Sequence, residues 1–209
     1  MKKILTQILF LTLLPLAVAF AVTPTSKEFA LESLKKFSTA GHHKSKGINM
    51  VLSYPSSWSA EEGERPNIVQ RFFSEGGRGL EGAFIVTKKL ELPLGTVLSE
   101  NDLTEFFTAV EMKTMLPPGA KFIHAKATKI EGLPAGILEY SLSQERAGFT
   151  FESQFISYTF IYGVTMVQLG FMVSAGQNTS PVVLARRMDE FKPLFFLMAN
   201  SIVLQDKWK

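Results

Sequence analysis

The sequence predicts an α+β fold, an α/β/α sandwich in which a mainly antiparallel sheet of about seven strands is flanked by helices. Three observations carry that prediction. From Ile48 onward, apolar residues recur at a period of two in seven separate runs. The connections Gly132-Leu133-Pro134, Ala147-Gly148 and Gly163 are too short for crossovers and force neighbouring strands to run antiparallel. Three other stretches space their apolar residues by three and four, as helices with one buried face do.

Residues 25–37 read as a short helix, because Thr25 and Glu28 have capping-box spacing and Ala30, Leu31, Leu34 and Phe37 share a face. Residues 38–47 break it and form a linker holding His42 and His43 among lysines and glycines. Ile48, Met50, Leu52 and Tyr54 then alternate with polar or smaller residues, a strand that stops at Pro55 for want of an N–H. A polar turn with Trp58 and the charged run Glu61-Glu62-Gly63-Glu64-Arg65-Pro66 follows. Strands at 68–73 and 83–90 are joined across 75–79, where glycine supplies the positive backbone angles of a long hairpin turn. Ser99 caps a helix striped by Leu103, Phe106, Phe107 and Val110 and ended by Pro117-Pro118-Gly119. Strands are predicted over 121–130, 135–144, 149–162 and 165–174. Ser180 caps the last helix with Pro181 at its first position; Pro193, inside it, is expected to kink it or shift its boundary at a cost of about 3 kcal/mol.

The chain has 209 residues, 46% hydrophobic and 20% charged, with a formal net charge of +3 and no cysteine. That balance excludes a disordered chain and a disulfide-held scaffold, and a single long apolar stretch excludes a multi-span membrane protein. The stretch is at the start. Met1-Lys2-Lys3, an apolar run over 4–20 and the small-x-small site Ala19-Phe20-Ala21 read as a signal peptide over 1–21, followed by a helix and linker over 22–47 and a domain over 48–209. The expected location is periplasmic or extracellular; the alternative is an uncleaved anchor holding the domain against the cytoplasmic membrane. No cysteine follows the run, which excludes a lipoprotein. Cleavage removes Lys2 and Lys3 and leaves 20 basic against 19 acidic residues, too little positive excess for a nucleic-acid partner.

The element order, with Ser53-Tyr54-Pro55-Ser56-Ser57-Trp58 closing the first strand, Gly132-Leu133-Pro134-Ala135 before the central hairpins and the last helix running into Asn200-Ser201-Ile202, resembles the PsbP-like α/β/α superfamily over residues 48–204. The superfamily includes extrinsic PsbP proteins of photosystem II, a Ran-binding import factor and small exported bacterial proteins. The resemblance implies a non-catalytic binding or assembly module, and no functional residue carries over from it.

The residues themselves point the same way. No Gly-x-Ser-x-Gly elbow and no cysteine is present, so a hydrolase, the least favoured reading, lacks its nucleophile and base. Gly76-Gly77-Arg78-Gly79 lacks the Lys-Ser/Thr ending of a phosphate loop. His42 and His43 are expected to diverge in an extended segment and His124 stands alone, so no metal and no cofactor is expected. The expected partner surface is the loop holding Trp58, Glu61, Glu62 and Arg65, an aromatic anchor beside charges; the alternative is that Trp58 covers the edge of the core beside a solvated charge run. The expected function is an exported, non-enzymatic module acting by protein-protein contact. A carrier of a hydrophobic small molecule or lipid is the alternative, since one ring of each of Phe72-Phe73, Phe106-Phe107 and Phe195-Phe196 is left over for a groove.

Overall fold

The structure is a computed structural model that describes residues 34–75, 80–146, 149–175 and 179–208. The leader, most of the helix expected over 25–37, the glycine turn at 76–79 and Ala147-Gly148 lie outside the described residues. The described chain is α+β: a seven-stranded antiparallel sheet, a separate three-stranded sheet and three helices.

The strands are β1 (Lys35–Ser38), β2 (Met50–Tyr54), β3 (Ser59–Glu62), β4 (Ile68–Phe73), β5 (Glu81–Lys89), β6 (Lys121–Ile130), β7 (Leu133–Arg146), β8 (Phe149–Tyr162), β9 (Thr165–Ala175) and β10 (Val203–Leu204). The helices are α1 (Glu100–Phe106), α2 (Ala109–Thr114) and α3 (Pro181–Asn200). The large sheet runs β3-β4-β5-β9-β8-β7-β6, and β2 sits between β1 and β10 in the small one. Three expectations are corrected. Residues 35–38 form a strand, not the end of a helix: Phe37 pairs with Leu52 and Lys35 with Tyr54, so the free edge of β2 overrides the helical spacing. The run ending in Tyr54 stays out of the large sheet, and the seventh strand is instead β3, which the sequence shows only as a charged loop. The helix expected after Ser99 is two short ones, each with its own cap: Ser99 in a capping box with Asp102, and Thr108 accepting from Glu111. Pro193 does not move the boundary of α3, which runs on through Asn200 while Leu194 and Phe195 beside it are fully buried.

Alternation gives the large sheet two unlike faces. On one, Ile156, Tyr158 and Phe160 of β8 and Val167, Leu169 and Phe171 of β9 form the main core with α3 and β2. The rings of Phe171 and Phe195 stack there at 4.5 Å. Two ion pairs fix α3 over strands on either side of β8 and β9. Arg187 pairs with Glu81 of β5, which is fully buried and also accepts from Ser74 Oγ at 2.8 Å. Lys192 pairs with Glu139 of β7 at 2.9 Å and with Asp189 at 3.0 Å. On the other face, α1 and α2 cover β6 and β7, settling Phe107 and Met112 over Gly136, where a Cβ would collide with both. Trp58 belongs to the main core. The turn from Pro55, closed by Trp58 N–H donating to Pro55 O at 3.1 Å, brings the ring inward until it is 1% exposed, so it is not the surface anchor that its loop position suggests.

Removing one member of a buried ion pair strands the other, at a cost of about 3 kcal/mol or more. Arg187→Ala is therefore expected to lower the urea midpoint strongly, while Arg186→Ala, whose partner Glu190 is a surface residue, shifts it by about 0.5 kcal/mol or less. Trp58→Ala is expected to cost about 3 to 5 kcal/mol by the same measurement, through lost burial and a cavity. Stability is also expected to fall at alkaline pH. Burial, helped by the Glu139 carboxylate, pushes the Tyr158 phenol up to about 12. Burial alone would lower the Lys192 ammonium, but hydrogen bonds to Glu139 and Asp189 outweigh it and raise the group above its ordinary value. Both groups hold their protons more tightly when folded, so their contribution is complete below the unfolded values near 10.0 and 10.5 and is lost as pH rises through the folded ones. A urea midpoint that falls between pH 10 and 12, less steeply in Tyr158→Phe, is the expected result.

Candidate functional site

The described residues have helix enough for one face of the large sheet and part of the other. On the second face, α1 and α2 cover β6, β7 and Ile161 of β8, and leave β4, β5, β9 and the start of β8 bare. The side chains there form registered rows. Phe73 of β4 is opposite Gly82 of β5, which is opposite Met172 of β9, which is opposite Phe155 of β8 and, one strand on, Tyr140 of β7. The next row runs Glu61, Arg71, Phe84, Gly170 and Ser157. A glycine in each row makes room for a neighbouring ring: Phe84 lies over Gly170, and Phe73 and Met172 meet over Gly82.

The result is a trough of about 500 Å³ floored by Phe73, Phe84, Phe155 and Met172, with Glu64 and Arg65 on one rim. It continues past Phe155 and Met172 into a second hollow of about 220 Å³ beside Phe151, Ser153 and Ser174, where the two hydroxyls share a 2.8 Å hydrogen bond. The floor is rigid. Phe155 stacks on Tyr140 at 5.0 Å, and the Arg71 guanidinium lies 5.6 Å over the Phe73 ring. Arg71 also pairs with Glu61 at 3.4 Å and Glu64 at 3.1 Å, and its Nε is buried without an acceptor. One side of the trough stays open, because all its walls come from one sheet face and the loop after β3.

Of the sequence-predicted site residues, Arg65 stands on the rim and Glu61 braces Arg71 there. Trp58 is inside the core, and Glu62 faces away from the trough. Arg71, Phe84, Phe155 and Met172 escape a sequence reading, since one strand at a time each looks like a core residue. The usable signal is that Phe72-Phe73 and Ala83-Phe84-Ile85 are apolar on both faces, while the helices among the described residues are too few to cover both.

A second cluster lies at the β3 edge. The short 3₁₀ turn His43–Ser45 does not send the two histidines apart as expected; their rings stack at 5.0 Å with an interplanar angle of 11°. His43 Nε2 is 3.7 Å from Glu62 Oε1, and Lys44 Nζ is 2.7 Å from the same oxygen. The hydrogen bond from Lys44 holds the Glu62 carboxyl below the usual carboxylate range, and the two histidines act in the same direction. His124 is six strands away, exposed on the opposite edge strand β6.

Among the described residues no helix is long and apolar enough to cross a membrane. No family model matches the chain, and no curated protein matches it. Among solved structures, the chain is similar to LpqN, described as involved in cell envelope biogenesis of Mycobacterium tuberculosis, at 14% identity over 82% of this chain and 91% of that one, with a TM-score of 0.45. It is also similar to a protein of Bacteroides thetaiotaomicron VPI-5482, at 15% identity over 74% of this chain and 44% of that one, with a TM-score of 0.39.

Proposed function

We propose that the protein is an exported, non-enzymatic binding module that receives a protein partner on the bare half of its large sheet. The observation that carries this reading is the trough itself: a rigid apolar floor of Phe73, Phe84, Phe155 and Met172 beside the arginines of its rim. Apolar floors with aromatic and arginine groups at their edge are what protein interfaces use for their strongest contacts. The resemblance to PsbP-like proteins supports a module of this kind. A carrier of a hydrophobic small molecule is the weaker alternative, because carriers bury about 70–90% of a ligand's surface and this trough is open along one side. On this reading Arg65, in the loop after β3, and Glu61, within β3, belong to the partner surface, while Trp58, in the turn before β3, packs in the core.

The test is co-purification of the protein from its native cells, followed by binding measurements with the retained partner. Arg65→Ala and Met172→Ala together are expected to weaken binding about tenfold or more, as loss of interface contacts does, with a small change in the urea midpoint. His124→Ala, on the far edge, should leave binding unchanged. An unaltered affinity in the double variant would remove the trough from the interface, and a lipid extracted in stoichiometric amount from the purified protein would favour the carrier.

A further inference from the structure

We propose that His42, His43 and Glu62 form a site for a divalent transition-metal ion of the zinc, nickel or copper class, independent of the trough. The three residues offer two imidazole nitrogens and a carboxylate oxygen, all within 4.8 Å of one another. The ligand set, two imidazoles and one carboxylate, is one that zinc takes in proteins with a further position left to water or substrate. The His43 Nε2 to Glu62 Oε1 distance of 3.7 Å is close to the roughly 3.3 Å that separates two ligand atoms bound tetrahedrally at about 2.0 Å. Hard cations prefer six or more oxygens and find only one carboxylate here.

The turn that presents the histidines is built and held from several sides. His42 N–H donates to Thr39 O at 3.0 Å, Ser45 N–H to His42 O at 2.9 Å, and Ile48 N–H to Ser45 O at 3.1 Å. Lys46, with φ of 56°, and Gly47, with φ of 86°, reverse the chain in the left-handed region. Lys44 locks the turn to the sheet: its carbonyl accepts from Thr87 Oγ1, and its ammonium donates to Gly63 O next to Glu62. The backbone that carries both rings is therefore held against β3 before any ion arrives, so less ordering remains to oppose binding.

Two features set the limits of affinity. His42 Nδ1 accepts the Lys44 amide N–H at 3.2 Å, a long bond that must be given up before the ring offers a lone pair to a metal. The Lys44 ammonium already sits on Glu62 Oε1, the oxygen that faces His43, so an ion bound there competes with it. His43 and Glu62 are therefore expected to be the stronger ligands. A bound ion would tie the turn after β1 to the edge strand β3 and keep an open coordination position facing solvent, since His43 and Glu62 are both exposed.

The full chain, stripped with a chelator, is titrated with zinc by calorimetry at pH 7.5. One equivalent is expected to bind, and calcium at the same concentration should not compete. His43→Ala and Glu62→Gln are each expected to weaken zinc binding about tenfold or more, the size of effect that loss of a ligand or of its support gives. These side chains are exposed, so the urea midpoint without metal should stay the same. His124→Ala is the control, because the chain has three histidines and this one lies on the other edge of the sheet. Absence of zinc binding in the wild type overturns the proposal. So does equal zinc affinity in the wild type and the His42→Ala, His43→Ala double variant.

Discussion

A seven-stranded sheet has two faces, and the described residues have helix for one and a half of them. That shortage shapes most of what the protein presents to solvent. The single long helix α3 closes one face by burying Leu184, Met188, Phe191, Phe195 and Met198, and β2 extends that layer. The short helices α1 and α2 reach only the β6–β7 side of the other face. The remaining strands keep apolar side chains on a surface that nothing in the described chain covers. Because apolar surface in water is unfavourable by about 25 cal/mol for each Å², a rigid bare patch of this kind stores binding free energy for whatever can cover it.

What holds α3 to its own face also keeps it from sliding. An apolar stripe on an apolar sheet is indifferent to small shifts along the helix axis, whereas a charge with one partner is not. Glu81 on β5 and Glu139 on β7 sit on either side of the two central strands, and Arg187 and Lys192 meet them from one helix. The pairs contribute less net stability than the packing does, since each costs desolvation. Their effect is to select one register of α3 on its own face of the sheet.

The strands and their antiparallel pairing were legible because period-two alternation is local and the turns between β6, β7, β8 and β9 are short. The edges were not. β1 and β3 are four-residue strands whose side chains show no alternation, and each exists because a neighbour offers an unpaired backbone: β2 for residues 35–38, β4 for residues 59–62. The count of seven was right with one member exchanged, β3 for the strand ending at Tyr54. Of the candidate site, Arg65 and Glu61 were found by their charge next to a strand end. Trp58 was misplaced because a turn can carry a ring in either direction, and the direction is set by a cavity that only the folded chain defines. Phe84 and Met172 were hidden for the opposite reason: alternation assigns them to a face, and only the inventory of helices says whether that face is covered.

The charged run after Trp58 was read as one surface, and the pleat of β3 divides it into two. Glu61 pairs across the strand with Arg71, and its carboxylate joins the rim of the trough. Glu62, one residue on, pairs with Gln70, whose side chain is buried on the α3 side of the sheet, and its carboxylate turns to Lys44 and His43. Gly63 ends the strand where no other residue fits, since a Cβ there would strike the backbone oxygen and side chain of Ile68. Two adjacent glutamates are thus committed to opposite faces by the period of a strand only four residues long. A one-residue slip of β3 would exchange them, setting Glu61 against the histidine turn and Glu62 against Arg71, and it would also carry Gly63 away from Ile68. The close approach at Gly63 therefore fixes which glutamate serves which face, and the separation of the trough from the histidine cluster follows from it.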